Sequence, residues 1–227
     1  MRRARAAGLA LAALLLSPLS AAAQSKGEPG RFDHYVLALS WSPSYCEAMG
    51  ARAEPTQCAT ARPFAFVVHG LWPQYERGWP ESCVSPAPFL PEPLLRSMLD
   101  IMPSRRLVLH EWRKHGTCDG ADSAGYFATL RRAYERVKIP DEFHRLDAYR
   151  MVSPGEVEAA FRAANPGLAP DMIAVACDGR RLTEVRLCLS RTLDFTPCPE
   201  VDRRACRAER VVMPPQREAG PAPQRTE

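Results

Sequence analysis

The chain has no internal repeat and no heptad pattern across its 227 residues, which removes solenoids and coiled coils from consideration. It has no Cys-x-x-Cys pair and no paired Cys/His spacing, so a zinc module is disfavoured although cysteine is plentiful. Its acidic residues are scattered rather than clustered, which argues against the carboxylate nest of a metal-dependent phosphodiesterase or nuclease. Beyond the N-terminal apolar stretch, no segment is long enough to cross a membrane. Excess charge is scarce as well. The formal net charge is +4, and Arg2, Arg3 and Arg5 supply three of it, so the chain beyond Ala23 stands near +1. Such a balance is no global footprint for nucleic acid, and a polyanion would have to be held by a local cluster.

What is present begins with a targeting pattern. Arg2, Arg3 and Arg5 precede an apolar stretch from Ala6 to about Leu19, and Ala21, Ala22 and Ala23 follow before Gln24. This order reads as a secretory signal peptide over residues 1–23, with export to the periplasm or the extracellular space. The stretch is short for a membrane anchor, and no cysteine follows it to carry a lipid. The 204 residues beyond it suffice for one domain with a substantial core. All eight cysteines lie there: Cys46, Cys58, Cys83, Cys118, Cys177, Cys188, Cys198 and Cys206. An even count in an exported chain reads as four disulfides, and spacing alone leaves on the order of a hundred pairings open.

Apolar periodicity places the elements. His34 to Trp41 alternates, with Tyr35, Leu37, Leu39 and Trp41 on one face, and reads as a strand that Pro43 ends. Phe64 to His69 reads as a second strand closed by Gly70. Met172 to Cys177 and Leu182 to Leu189 read as a hairpin across Asp178-Gly179. Helical spacing marks Pro93 to Met102 and Ser123 to Val137. Ser153-Pro154-Gly155-Glu156 is a capping box that opens a helix to about Ala164. Residues 24–31 read as an unstructured lead-in. Residues 214–227, rich in Pro, Gln, Arg and Glu, read as a disordered tail, which leaves 24–213 for the folded domain. The expected class is α+β, a single disulfide-stapled domain with a central antiparallel sheet and surrounding helices.

Two segments concentrate three of the five histidines. One is Phe66-Val67-Val68-His69-Gly70-Leu71-Trp72-Pro73. The other is His110-Glu111-Trp112-Arg113-Lys114-His115-Gly116-Thr117-Cys118. His34 and His144 stand in polar contexts and read as surface residues. A zinc protease needs two histidines four apart on a helix. His110 and His115 are five apart, which turns a helix by roughly 500° and leaves the rings about 140° apart. Helical spacing instead brings Glu111 beside Lys114 and His115, and His110 beside Lys114, as a cationic patch holding one carboxylate. An ordinary solvated, salt-bridged helix face is the competing reading. Phosphodiester transfer in RNA suits such a set. The ribose hydroxyl needs a base, the leaving oxygen needs an acid, and histidine serves as either near neutrality. A lysine or protonated imidazole stabilises the charge that develops on phosphorus. Each proton-transfer group contributes ~10²–10⁴-fold, about 3–5 kcal/mol of barrier, so two histidines and a lysine suffice without a metal or other cofactor.

The two segments, in this order and about 40 residues apart, resemble the ribonuclease T2 family. Tyr35 to Trp41 followed by Tyr45-Cys46 resembles the first strand of its bacterial, ribonuclease I-like members, and Leu182 to Cys188 their late hairpin. The resemblance runs from Phe32 to Cys206. It implies His69 as the general acid, His115 as the base, and Glu111 and Lys114 as groups that stabilise the transition state and tune His115. It implies that His110 holds the phosphate and that Trp72 stacks on a base; a core aromatic is the alternative for Trp72. It also implies the pairs Cys83–Cys118, Cys177–Cys206, Cys188–Cys198 and Cys46–Cys58. Some fungal members carry an acidic residue two positions after the stacking Trp. This chain has Gln74 there, so no base preference is assigned. The expected partner is single-stranded RNA rather than DNA or membrane, handled by a monomer. A catalytically silent RNA-binding protein is the alternative; it should have lost His69 or His115, and both are present.

Overall fold

The computed structural model describes residues 27–217, Arg62 excepted. The expected signal peptide and residues 218–227 of the expected tail lie outside the described residues. Among the described residues six strands form: β1 (His34–Trp41), β2 (Phe66–Gln74), β3 (Arg150–Val152), β4 (Ile173–Cys177), β5 (Leu182–Leu189) and β6 (Val211–Met213). The main sheet has the order β2-β1-β5-β4 and is antiparallel throughout. β3 and β6 make a second, two-stranded sheet. The α-helices are α1 (Ser42–Met49), α2 (Pro55–Cys58), α3 (Glu92–Ser97), α4 (Arg105–Lys114), α5 (Ser123–Arg136), α6 (Pro154–Ala164) and α7 (Pro199–Arg203). This is the α+β domain that the sequence pattern implies. Among the described residues no helix is long and apolar enough to cross a membrane.

Alternation gives the central sheet two different faces. Tyr35, Leu37, Leu39 and Trp41 of β1 are buried in the main core with Val68 and Leu71 of β2, Val185 and Leu187 of β5, and Trp112, Tyr126 and Phe127 from the helices. Burying such side chains stabilises by about 1.5–3 kcal/mol each. The opposite face of β1 carries Val36, Ala38 and Ser40. There Val36 packs with the Cys188–Cys198 disulfide, Trp72 and Val201 in a small separate cluster. That second face holds the site.

Several boundaries differ from the sequence reading, each for a local reason. β2 does not end at Gly70 but runs on to Gln74. Pro43 ends β1 by starting α1, where proline in the first turn needs no N–H partner. α3 stops at Ser97 rather than Met102; the Ile101 carbonyl instead accepts from the Val68 N–H at 2.9 Å and covers the outer edge of β2. The capping box at Ser153 and Glu156 forms as the sequence implies, and α6 ends at Ala164. The disulfides are Cys46–Cys58, Cys83–Cys118, Cys177–Cys206 and Cys188–Cys198, the pairs that the resemblance implies. Each stabilises by about 2–4 kcal/mol.

Both ends of the domain are seated further out than composition suggests. The Gly30 N–H donates to the Cys118 carbonyl at 2.9 Å, so part of the lead-in is fastened beside the site helix. Pro214 is buried, and its carbonyl accepts from the indole N–H of wholly buried Trp41 at 3.0 Å. The Gln216 side chain bonds the Leu146 N–H and the His144 carbonyl. Pro214 and Gln216 therefore belong to the folded domain rather than to the expected tail. Ending the chain after Met213 should lower stability by about 1–3 kcal/mol, because a buried indole donor loses its acceptor. Ending it after Arg217 should leave the urea midpoint unchanged. Equal midpoints for the two truncations would refute the role given to Pro214.

Candidate active site

His69 reaches the site because β2 carries a bulge. Ala38 of β1 pairs with Gly70 and Leu39 pairs with Val68, so His69 is the extra residue between them. Strict alternation would put His69 on the core face with Leu71. The bulge turns it onto the face of Gly70 and Trp72, where its ring meets the Trp72 ring edge-on at 5.3 Å. Bulges re-aim side chains in this way at functional edges of sheets. The Tyr126 hydroxyl fastens the strand just beyond by donating to the Leu71 carbonyl at 2.9 Å.

α4 supplies the other half. Ser104 caps it by accepting from the Leu107 N–H. Val108 and Trp112, four residues apart, anchor its buried stripe in the core. Trp112 also donates from its indole to the Pro88 carbonyl at 2.8 Å. The helix ends at Lys114, and His115 is its C-terminal cap. The Cys83–Cys118 disulfide then ties the chain back to the loop after β2, and the Ser82 N–H bonds the Lys114 carbonyl at 2.7 Å. Lys114 pairs with Glu81 at 3.5 Å rather than with Glu111.

Glu111 turns inward and is 1% exposed. One oxygen accepts from the Trp72 indole N–H at 2.8 Å, and the other lies 3.8 Å from His69 Nε2. It reaches this place over Gly70. A Cβ at Gly70 would stand 2.0 Å from Glu111 Oε2 and 2.5 Å from Trp72 Nε1. The glycine is therefore required by close approach rather than by a turn. The carboxylate serves Trp72 and His69, not His115 as helical spacing suggested. His115 also packs on Trp72, with ring centroids 5.5 Å apart and planes tilted by 31°.

The two imidazoles experience opposite fields. Burial pushes His115 down to about 3, and the positive groups Lys114, His110 and His69 push in the same direction. Its Nδ1 is buried without a hydrogen-bond partner among the described residues. Burial also acts to depress His69, but the hydrogen bond and charge of Glu184 and the charge of Glu111 outweigh it and raise the group above its usual value. Burial lifts the Glu111 carboxyl to about 7, against the pull of His69, the Trp72 N–H and Lys114. His110 is exposed at the rim and depressed by partial burial and by Lys114. The site thus biases His69 toward the imidazolium and His115 toward the neutral ring.

All six sequence-nominated residues, His69, Trp72, His110, Glu111, Lys114 and His115, line one cleft of about 840 Å³. Further residues of the site escaped the sequence reading, among them Arg186 and His34, which line the cleft, and Glu184, which contacts His69. Glu184 and Arg186 lie on β5, where Glu184 Oε1 is 2.5 Å from His69 Nδ1. Their alternation with Val185 and Leu187 was the available signal. His34, taken as a surface residue, also lines the cleft, half-buried, with no partner for Nε2 among the described residues. His144 is exposed as expected and pairs with Asp141. Gln74 lines the cleft too, with its amide donating to the Pro73 carbonyl. Among the described residues no three His, Cys, Asp or Glu side chains converge as a metal-binding group.

Fold and cleft together define a disulfide-stapled α+β domain with an imidazole pair around a buried carboxylate. The sequence matches the Ribonuclease T2 family over residues 32–198. A ribonuclease of Aeromonas hydrophila is 47% identical over 169 residues, covering 67% of this chain and 76% of that protein. Ribonuclease I of Escherichia coli is 29% identical over 225 residues, covering 80% and 84%. An RNase-related protein from Calystegia sepium has a similar structure, with a TM-score of 0.66 at 20% identity over 82% of this chain and 99% of that one. RNase NT in complex with 5'-AMP gives 0.57 at 26% identity over 82% and 99%. The chain belongs to the ribonuclease T2 family, as a ribonuclease I-like member. Its enzyme class is that of a T2-type endoribonuclease.

The contact over Gly70 gives a direct test. Gly70→Ala should displace the Glu111 carboxylate, lowering stability by about 1–3 kcal/mol, as overpacking does, and kcat/KM by at least ~100-fold. Unchanged kcat/KM in a folded Gly70→Ala protein would contradict the geometry.

Proposed function

We propose that this endoribonuclease cleaves single-stranded RNA by transphosphorylation through a 2',3'-cyclic phosphate, with histidine acid–base chemistry and no metal. The observation that carries the reading is the opposite bias of His69 and His115, both packed on Trp72 in one cleft. Two titratable groups pushed apart by their surroundings mark an acid and a base. Neutral His115 takes the proton of the ribose 2'-hydroxyl. O2' attacks phosphorus, the bond to O5' breaks, and His69 gives its proton to O5'. In the second step neutral His69 takes a proton from water, the water oxygen attacks phosphorus, the bond from phosphorus to O2' breaks, and protonated His115 returns a proton to O2'. Lys114 and a protonated Glu111 stabilise the charge on the phosphoryl oxygens. His110 at the rim holds the phosphate, and half-buried Trp72 offers its cleft-facing surface to a base. The N-terminal arginine–apolar–alanine pattern supports export to the periplasm or beyond. DNA lacks the attacking hydroxyl and is not a substrate in this reading.

Incubation with RNA and with DNA in the presence of EDTA tests it. RNA should be cut, leaving cyclic phosphate termini, while DNA stays intact. His69→Ala and His115→Ala should each lose at least ~100-fold in kcat, consistent with the loss of one proton-transfer group. Loss of activity on chelation, or cleavage of DNA, would contradict the proposal. RNA binding without cleavage would instead favour the silent binding protein.

The pH profile follows with its signs. The base must be neutral, so kcat/KM should fall as pH drops through about 3. The acid must be protonated, so kcat/KM should fall as pH rises through the value of His69, which lies above the ordinary ~6.5. A profile whose alkaline limb lies below that ordinary value would exclude His69 as the acid.

A further inference from the structure

We propose that Glu184 is a positioning residue: its carboxylate, clamped by Arg186, binds Nδ1–H of His69 and aims Nε2 at the leaving oxygen. The inference rests on the acid role given to His69 above.

The sheet is built for this contact. Glu184 and Arg186 are on β5 and His69 is on β2, with β1 between them. Strands two apart lie about 9–10 Å from each other, so a side-chain contact needs small residues on the strand between. β1 has Ala38 opposite Gly70 and Arg186, and Ser40 opposite Glu184. Over this low ground Glu184 Oε1 meets His69 Nδ1 at 2.5 Å, and the Ser40 hydroxyl reaches the same oxygen at 3.5 Å. Arg186 grips the other oxygen from Nε at 2.9 Å and Nη2 at 2.8 Å. Its guanidinium also lies 5.4 Å from the Trp72 ring, so one cation fixes Glu184 and packs against the aromatic that touches both histidines.

The clamp has chemical consequences for a group facing several charges. His69 faces Glu184 and Arg186 from β5 and Glu111 from α4, while His110 and Lys114 of α4 and His115 at its cap line the same cleft. A carboxylate on Nδ1 selects the tautomer that keeps Nδ1–H, orients the ring and favours the imidazolium. The Glu184 side chain is only 10% exposed, which preserves the interaction from solvent. Arg186 and His69 hold the Glu184 carboxyl down at about 2 despite burial, so it stays charged across the working range.

Glu184→Gln keeps the shape and removes the charge. The expected result is a 10- to 100-fold fall in kcat, the usual cost of losing such a partner, with KM changed less than about 2-fold. The alkaline limb of kcat/KM should move down by about one pH unit or more. In the intact protein, 15N NMR of His69 above its pKa should show the proton on Nδ1. A neutral His69 with its proton on Nε2 overturns the proposal without any variant, so a misfolded Glu184→Gln protein would not leave it open. An unchanged kcat together with an unmoved limb overturns it as well. The two readings fail separately. Full activity in His69→Ala would remove the acid assignment itself. An inactive His69→Ala beside a fully active Glu184→Gln would remove only the role of Glu184.

Discussion

The carboxylate of Glu111 lies on the bare Cα of Gly70, and the geometry of the cleft follows from that contact. A side chain at Gly70 would occupy the place of the carboxylate. With glycine there, α4 approaches the edge strand β2 closely enough for one buried acid to bond the Trp72 indole and face His69. An isolated buried carboxylate would be costly. Here the cost is offset by the indole donor and by the neighbouring positive groups, and what remains lifts the carboxyl to about 7. The acid thereby retains a proton near neutrality and can donate as well as accept.

Around that contact the protein biases two imidazoles toward different charge states. His115 stands at the end of a helix, buried, beside Lys114 and away from any carboxylate that could hold it protonated. His69 stands on a bulge, between carboxylates contributed by α4 and β5. Trp72 touches both rings. The disulfides and seated termini hold these pieces in register: Cys83–Cys118 fixes the end of α4, and Cys188–Cys198 backs the Trp72 side.

Much of this was legible in the residues, and the limits are physical. Alternation located β1 and the β4–β5 hairpin, and a capping box located α6, because these signals are local. The two histidine segments were legible because their residue types are scarce and close in sequence. The bulge at His69 was hidden, since it depends on how β1 and β2 pair rather than on either strand alone. Glu184 was hidden for a similar reason: it lies 115 residues from His69, and only the sheet order brings them together. His34 looked like a surface residue because the start of a strand gives no hint of the cleft above it. The end of the domain was misplaced because Pro214 and Gln216 resemble a solvated tail, yet each supplies a hydrogen-bonding group that a buried neighbour needs.

The central claim is that folding alone sets His69 and His115 in opposite protonation states. Site-resolved NMR titration of the substrate-free protein, with the two rings assigned through single histidine-to-glutamine substitutions, tests it most directly. At pH 5 the account requires a charged His69 and a neutral His115 in the same molecule. Two rings that titrate together near the ordinary ~6.5 would contradict it.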